Sequence, residues 1–181
     1  MKKALNLAMV LGLAAGLASA HVPNSTATDR EIAEQAAREI RMYTRYTIWD
    51  HVEVGVREGM LELSGQVSQP FKRKDLERIV AKVPGVTSVA NTLTVLPVSF
   101  YDDQLRIQVA RAIYRDNVLS RYALQPVPPI HIIVNNGRVS LEGVVNNEME
   151  KNIATMRASS AGLSFGPVVN NLRVERPRAK S

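Results

Sequence analysis

The sequence predicts an α+β chain of two tandem α-β-β-α-β repeats, each a three-stranded mixed sheet with two helices packed on one face. Three observations predict it. Val52 to Val67 reads as two alternating strands joined at Glu58-Gly59, and Ile130 to Val145 reads the same way around Asn136-Gly137. Gly59 and Gly137 stand 78 positions apart, as do Gly65 and Gly143, and at that offset Val52, Val54, Val56, Leu61, Leu63 and Val67 fall on Ile130, Ile132, Val134, Val139, Leu141 and Val145. Each hairpin is also framed by apolar residues at helical spacing. Agreement of six apolar positions and two glycines without a gap is an internal repeat.

Met1-Lys2-Lys3, the alanine- and leucine-rich run Ala4 to Ala18, and Ala18-Ser19-Ala20 read as a secretory signal peptide over 1–20. Cleavage is expected after Ala20. The run is too short and too broken, by Asn6, for a membrane anchor. No cysteine follows it, so no lipid-modified terminus is expected, and a periplasmic protein without cysteine does without disulfides. Without Lys2 and Lys3 the chain holds 21 basic and 17 acidic residues, but 21–98 balance at ten of each sign and 99–175 hold eight against seven. The surplus sits in the basic tail 176–181 as Arg176, Arg178 and Lys180. Balanced repeats and export argue against a nucleic-acid partner.

A polar leader occupies 21–27, and Thr28-Asp29-Arg30-Glu31 is a capping box opening the first repeat, 28–96. Ile32, Ala36, Ile40 and Tyr43 form its first helical stripe, with acids early and arginines late as the helix dipole prefers. Tyr46, Trp49 and His51 occupy the loop before the hairpin. Two-residue turns need positive φ, hence Gly59 and Gly137, and they set Val54 opposite Leu63, Val52 opposite Gly65, Ile132 opposite Leu141 and Ile130 opposite Gly143. Gly65 and Gly143 are expected to leave room for a helix crossing that face, while Glu53, Arg57, Glu62 and Gln66 face water. Pro70 opens the second helix, Leu76, Ile79, Val80 and Val83 form its stripe, and Pro84-Gly85 stops it. Val86 to Val95 is the third strand, and 96–98 are linker.

The second repeat, 99–175, keeps this order. Ser99 caps a helix with Leu105, Val109 and Ile113 as its stripe, and the following loop is five residues longer, with Pro126, Pro128 and Pro129 expected to run extended. Asn147 to about Ala161 is the next helix, and Val168, Asn170, Leu172 and Val174 echo Val89, Asn91, Leu93 and Val95 at an offset of 79.

The pattern resembles the BON family, the bacterial OsmY and nodulation domain. The matching residues are the hairpin glycines, Leu63-Ser64-Gly65-Gln66-Val67, Leu141-Glu142-Gly143-Val144-Val145, and Gly85-Val86-Thr87-Ser88-Val89-Ala90-Asn91. The second copy departs from the last of these, with Ser164-Phe165 set against Gly85-Val86. The resemblance covers nearly all of the chain after its leader. It implies a periplasmic, non-enzymatic envelope protein linked to osmotic or envelope stress, and contact with phospholipid or the outer membrane.

Residues that could carry chemistry point the same way. Gly162-Leu163-Ser164-Phe165-Gly166 spells a nucleophile elbow, but a helix precedes it, a strand follows, and no histidine lies beyond His131. His21, His51 and His131 have no metal-ligand spacing, no phosphate loop is present, and His131 opposite Glu142 reads as a surface pair. No catalytic residue, cofactor or metal site is expected. Three groups remain as contact residues: the aromatic loop with Tyr46 and Trp49, the cations Lys72, Arg73 and Lys74 in a helix first turn where the dipole disfavours them, and the tail cations. They suit an anionic phospholipid or outer-membrane surface. The alternative is an adaptor or chaperone-like protein binding a protein partner by its sheet edge or outer face. Ile133 and Val144, apolar on the outer face of the second hairpin, favour that alternative or an inter-repeat contact.

Overall fold

The computed structural model describes residues 28–175. The expected signal peptide over 1–20, the expected leader 21–27 and the tail cations Arg176, Arg178 and Lys180 lie outside the described residues. Thr28 and Glu31 close the capping box reciprocally, and α1 (Asp29–Met42) buries Ile32, Ala36 and Ile40. β1 (His51–Arg57) and β2 (Met60–Val67) pair antiparallel in the expected register, Val54 opposite Leu63 and Val52 opposite Gly65. The turn residues Glu58 and Gly59 have φ of 53° and 77°, Asn136 and Gly137 51° and 74°, which is the type I′ turn whose twist matches the strands. α2 (Pro70–Val80) packs beside α1 over the sheet and buries Leu76 and Val80.

The expected third strand is interrupted. β3 (Ser88–Asn91) and β4 (Thr94–Val95) both run parallel to β2, and between them the Asn91 side-chain Oδ1 accepts from the Leu93 amide at 3.2 Å. A side chain that takes a neighbouring backbone amide withdraws it from the ladder. The second repeat does the same. After α3 (Phe100–Tyr114) come β5 (Ile130–Asn135), β6 (Arg138–Val145) and α4 (Glu148–Ser160), then β7 (Val169–Asn170) and β8 (Arg173–Val174), with Asn170 accepting from Leu172 at 3.0 Å. The long loop holds a short 3₁₀ turn, Ser120–Leu124, before its proline segment.

The glycines Gly65 and Gly143 serve a different purpose from the one the sequence suggests. Both have positive φ, 113° and 111°, and a methyl group at either would strike backbone of the facing segment, the His51 carbonyl or the Pro129 carbonyl. The hairpin closes too tightly for a side chain at either position. The exit from α4 also differs. Phe165 donates its amide to Gly137 at 2.7 Å as Thr87 does to Gly59 at 2.9 Å, so Phe165 matches Thr87 and the inserted residue falls after it, near Gly166.

Each repeat has its own core, and each lends a loop to the other. Leu61, Leu63, Leu76 and Leu93 centre the first core, and Val127 of the second repeat packs against it. Ile113, Ile132, Leu141 and Leu172 centre the second, and Ile48 and Trp49 of the first repeat pack against it.

Candidate functional site: the repeat junction and the outer face of the second repeat

The loop after α1 is built around Asp50, whose carboxylate is fully buried. It accepts from the amide and hydroxyl of Thr47 at 2.9 and 2.8 Å, from Ser68 at 2.7 and 2.9 Å, and from the Lys72 ammonium at 2.6 Å. Lys72 is therefore turned inward and 5 % exposed, so it cannot reach a headgroup as the sequence suggests. The cation tolerates its helix N-terminus because a buried carboxylate is paired with it. At the matching position, 78 residues on, α4 carries Glu150, buried and bonded to Arg121 of the loop and to the Tyr122 hydroxyl. The two repeats hold the same loop-to-helix ion pair with opposite polarity. Arg73 and Lys74, beside Lys72, are exposed.

This anchored loop is a clasp. Tyr46 is 8 % exposed within the first core, and burial pushes its phenol up to about 12. Ile48 accepts from the amide of Ile132 at 2.7 Å, and Trp49 leans on the second core. The expected lipid-facing aromatics Tyr46 and Trp49 are thus spent on joining the repeats. Tyr46 also meets the ring of His131 at 5.4 Å, with His51 at 6.3 Å on another side. His131 faces Glu142 in register, but it is buried rather than a surface pair, and its Nδ1 has no hydrogen-bond partner. Burial lowers its pKa, and the neighbouring His51 adds to that against opposing backbone contacts near Asp50 and Thr47. Ile133, two residues along β5 from His131, is also buried, and Val144 lines a cleft of about 570 Å³ between the repeats.

Exposed apolar side chains gather elsewhere, where the start of α3 meets the loop after α4. Phe100 is 81 %, Leu163 83 % and Phe165 62 % exposed. Tyr101 stacks on Phe165 with ring centres 5.2 Å apart and planes 14° apart, and its hydroxyl donates to the Leu163 carbonyl. Phe165 also roofs the turn at Gly137. The exposed face of α3 continues through Gln104, Ile107 and Gln108 to Arg111 and Arg115, at successive helical turns. Beside its end, Asp116 accepts from Arg157 Nε at 2.8 Å and from the amides of Val118 and Leu119. Burial raises that carboxyl, but these donors together hold it below its usual value. Sequence reasoning passed over this face because Phe100 and Phe165 lie outside every periodic stripe. The signal was there in two phenylalanines at a helix start and in a loop, positions where a core does not need them.

The family asparagines tie sheet to helix. Asn91 donates to the Arg73 carbonyl and to Glu77, both at 2.9 Å, and Asn170 donates to the Lys151 carbonyl at 2.9 Å. A second pair went unread in the sequence: Asp29 accepts from Glu58 and Gly59, at 2.8 and 3.0 Å, and Asp102 accepts from Asn136 and Gly137, at 2.9 and 2.8 Å. Each first helix thereby holds its hairpin turn. The model of the BON domain matches this unit twice, over residues 28–97 and again over 102–176.

The chain belongs to the BON-domain family. Proteins of that family are associated with the bacterial envelope. A comparison with curated proteins finds no match. Two solved structures of CdsD, a structural protein of the type III secretion system of Chlamydia trachomatis, one of them its C-terminal domain, are 13 % identical with TM-scores of 0.32. The alignments cover 78 % and 76 % of this chain but only 61 % and 63 % of those chains, and so slight a likeness carries no argument. Among the described residues of the two BON repeats, no acidic, histidine or cysteine cluster could hold a metal, and no helix is long and apolar enough to cross a membrane.

Proposed function

We propose that this protein is a non-enzymatic periplasmic envelope component that docks peripherally on anionic phospholipid, through the outer face of its second BON repeat. The observation that carries the reading is the exposed group of Phe100, Tyr101, Leu163 and Phe165, with Arg111 further along the same helix and Arg115 at its C-cap. Aromatic and aliphatic side chains beside cations are the composition of a helix lying in a lipid–water interface. Arg73, Lys74 and the tail cations Arg176, Arg178 and Lys180 add attraction, each worth about 1 kcal/mol near such a surface. The family's association with the envelope supports the setting.

Vesicle flotation tests it. Binding to anionic vesicles and not to neutral ones is expected at low salt, fading as the Debye length shrinks from about 10 Å at 0.1 M to about 3 Å at 1 M. Arg111→Glu with Arg115→Glu should abolish the salt-sensitive part. Phe100→Ser with Leu163→Ser should abolish what survives high salt, with unchanged melting because both side chains are solvated. Anionic vesicles that leave the parent unbound at low salt, or that bind both double variants fully, would end the reading.

A further inference from the structure

The junction between the repeats closes over an imidazole. His131 is 8 % exposed, and its Nδ1 is buried without a hydrogen-bond partner among the described residues. In the neutral ring that atom is an unpaired acceptor; in the protonated ring it becomes a second N–H with nothing to receive it, which costs more. The carboxylates around it are already engaged. Asp50 of the clasp accepts from Thr47, Ser68 and Lys72. Glu142, opposite on β6, accepts from Asn171 at 2.7 Å and lies 3.9 Å from His51. Glu53 of β1 lies 3.5 Å from His51, and Glu34 of α1, which lines the adjoining cleft, pairs with Arg30.

The remaining neighbours add positive charge or none. The His51 ring stands 6.3 Å from that of His131, and Arg41 of α1 and Arg173 of β8 line the same cleft. Tyr46 of the clasp, 5.4 Å away, stays neutral because burial pushes its phenol up to about 12. The contacts around His131 are also those that join the repeats. Ile48 accepts from Ile132, the next residue of β5, and Trp49 packs on the second core. Val127, 78 positions after Trp49, makes the reciprocal contact with the first core. Asp50 ties the clasp to Ser68 and Lys72 of its own repeat, so the clasp leaves β5 without coming apart itself.

We propose that the junction is an acid-operated latch, in which a proton on His131 parts the two repeats while each stays folded around its own core. The repeats then turn about the linker at residues 96–98, where Val98 is 99 % exposed. The direction follows from where the proton binds better. In the closed form burial holds His131 below its ordinary 6.5, and His51 adds to that. In the open form the ring meets water and titrates at about 6.5. Well above that pH neither form binds the proton, and the closed form is undisturbed. Each pH unit below it favours the open form by up to about tenfold, until the closed form titrates too. The latch lies between the repeats, so it stands or falls apart from the membrane face of α3.

Trp49 is the chain's single tryptophan and sits in the clasp, so its fluorescence reads the latch alone. Acidification from about pH 7.5 to about pH 5 should shift its emission to the red and open it to acrylamide, reversibly, with a midpoint below about 6.5. Far-ultraviolet circular dichroism should not change over that range. His131→Gln should hold Trp49 in its neutral-pH state throughout. His51→Gln removes the neighbouring charge and should raise the midpoint by about half a pH unit or more, since two charges 6.3 Å apart repel that much even in water. That variant decides the matter if His131→Gln does not fold. Four results would each overturn the proposal: emission and quenching that stay flat, a change that only tracks loss of the helix signal, a transition in His131→Gln at the parent's pH, or a midpoint that His51→Gln leaves in place.

Discussion

Leu63 and Glu62 show how much one position decides. Leu63 is fully buried beneath the helices while Glu62 faces water, because side chains alternate along a strand. Leu63→Asp should destabilise the first repeat by several kcal/mol, since it buries an unpaired carboxylate, and Glu62→Lys should leave the melting curve within about 0.5 kcal/mol of the parent. Gly65 belongs to the same scale. Gly65→Ala adds the strain of a left-handed alanine, about 1 to 2 kcal/mol, to a collision with the His51 carbonyl. Gly166→Ala has the strain without the collision, since nothing lies within 4 Å of its Cβ position. Urea unfolding of the two variants should therefore rank Gly65→Ala well below Gly166→Ala. Equal losses would mean that strain alone, and no close approach, holds the glycine.

At the scale of elements, the first helix of each repeat carries its hairpin by a single carboxylate. Asp29 and Asp102 each satisfy the two outward amides of a type I′ turn, which would otherwise depend on water. Asp102→Ala should cost about 1 to 3 kcal/mol because the Gly137 amide is buried, and Asp29→Ala less because the Glu58 amide is exposed. Hydrogen exchange at the two turns would read this directly, with a larger gain in rate at Gly137 than at Glu58. The opposed ion pairs Lys72–Asp50 and Glu150–Arg121 do comparable work between helix and loop. Their reversed polarity means that the sign of the charge is free so long as the pair is complete.

The whole molecule turns on the clasp. Ile48, Trp49 and Tyr46 of one repeat meet His131 and β5 of the other. The groups facing His131 are Tyr46 and Asp50 from the loop, His51 from β1 and Glu142 from β6. Its folded pKa lies below the ordinary 6.5. Above that value both folded and unfolded chains are neutral here and the contribution of His131 is complete. As pH falls below it, the unfolded chain takes the proton first, and stability is lost until the buried imidazole titrates. Melting temperature should therefore drop between pH 7 and pH 5, and His131→Gln should flatten that drop. A slope unchanged in the variant would assign the acid sensitivity to another group.

The hairpins, their register, the four helices and the doubling of the whole unit were legible in the chain itself. Each follows from side-chain period and turn chemistry within about twenty residues, as Val52 to Val67 and Asn136-Gly137 show. Family membership came from the same local pattern. The fate of polar and aromatic residues was not legible. Lys72 and His131 look like surface groups in sequence, and only the approach of Asp50 and of the other repeat buries them. Tyr46 and Trp49 read as an exposed loop for the same reason, while Phe100 and Phe165 stayed out of sight because no stripe includes them. Secondary structure is set by neighbours in the chain. Exposure is set by what the folded chain brings back from a distance, and the tertiary structure alone decides that.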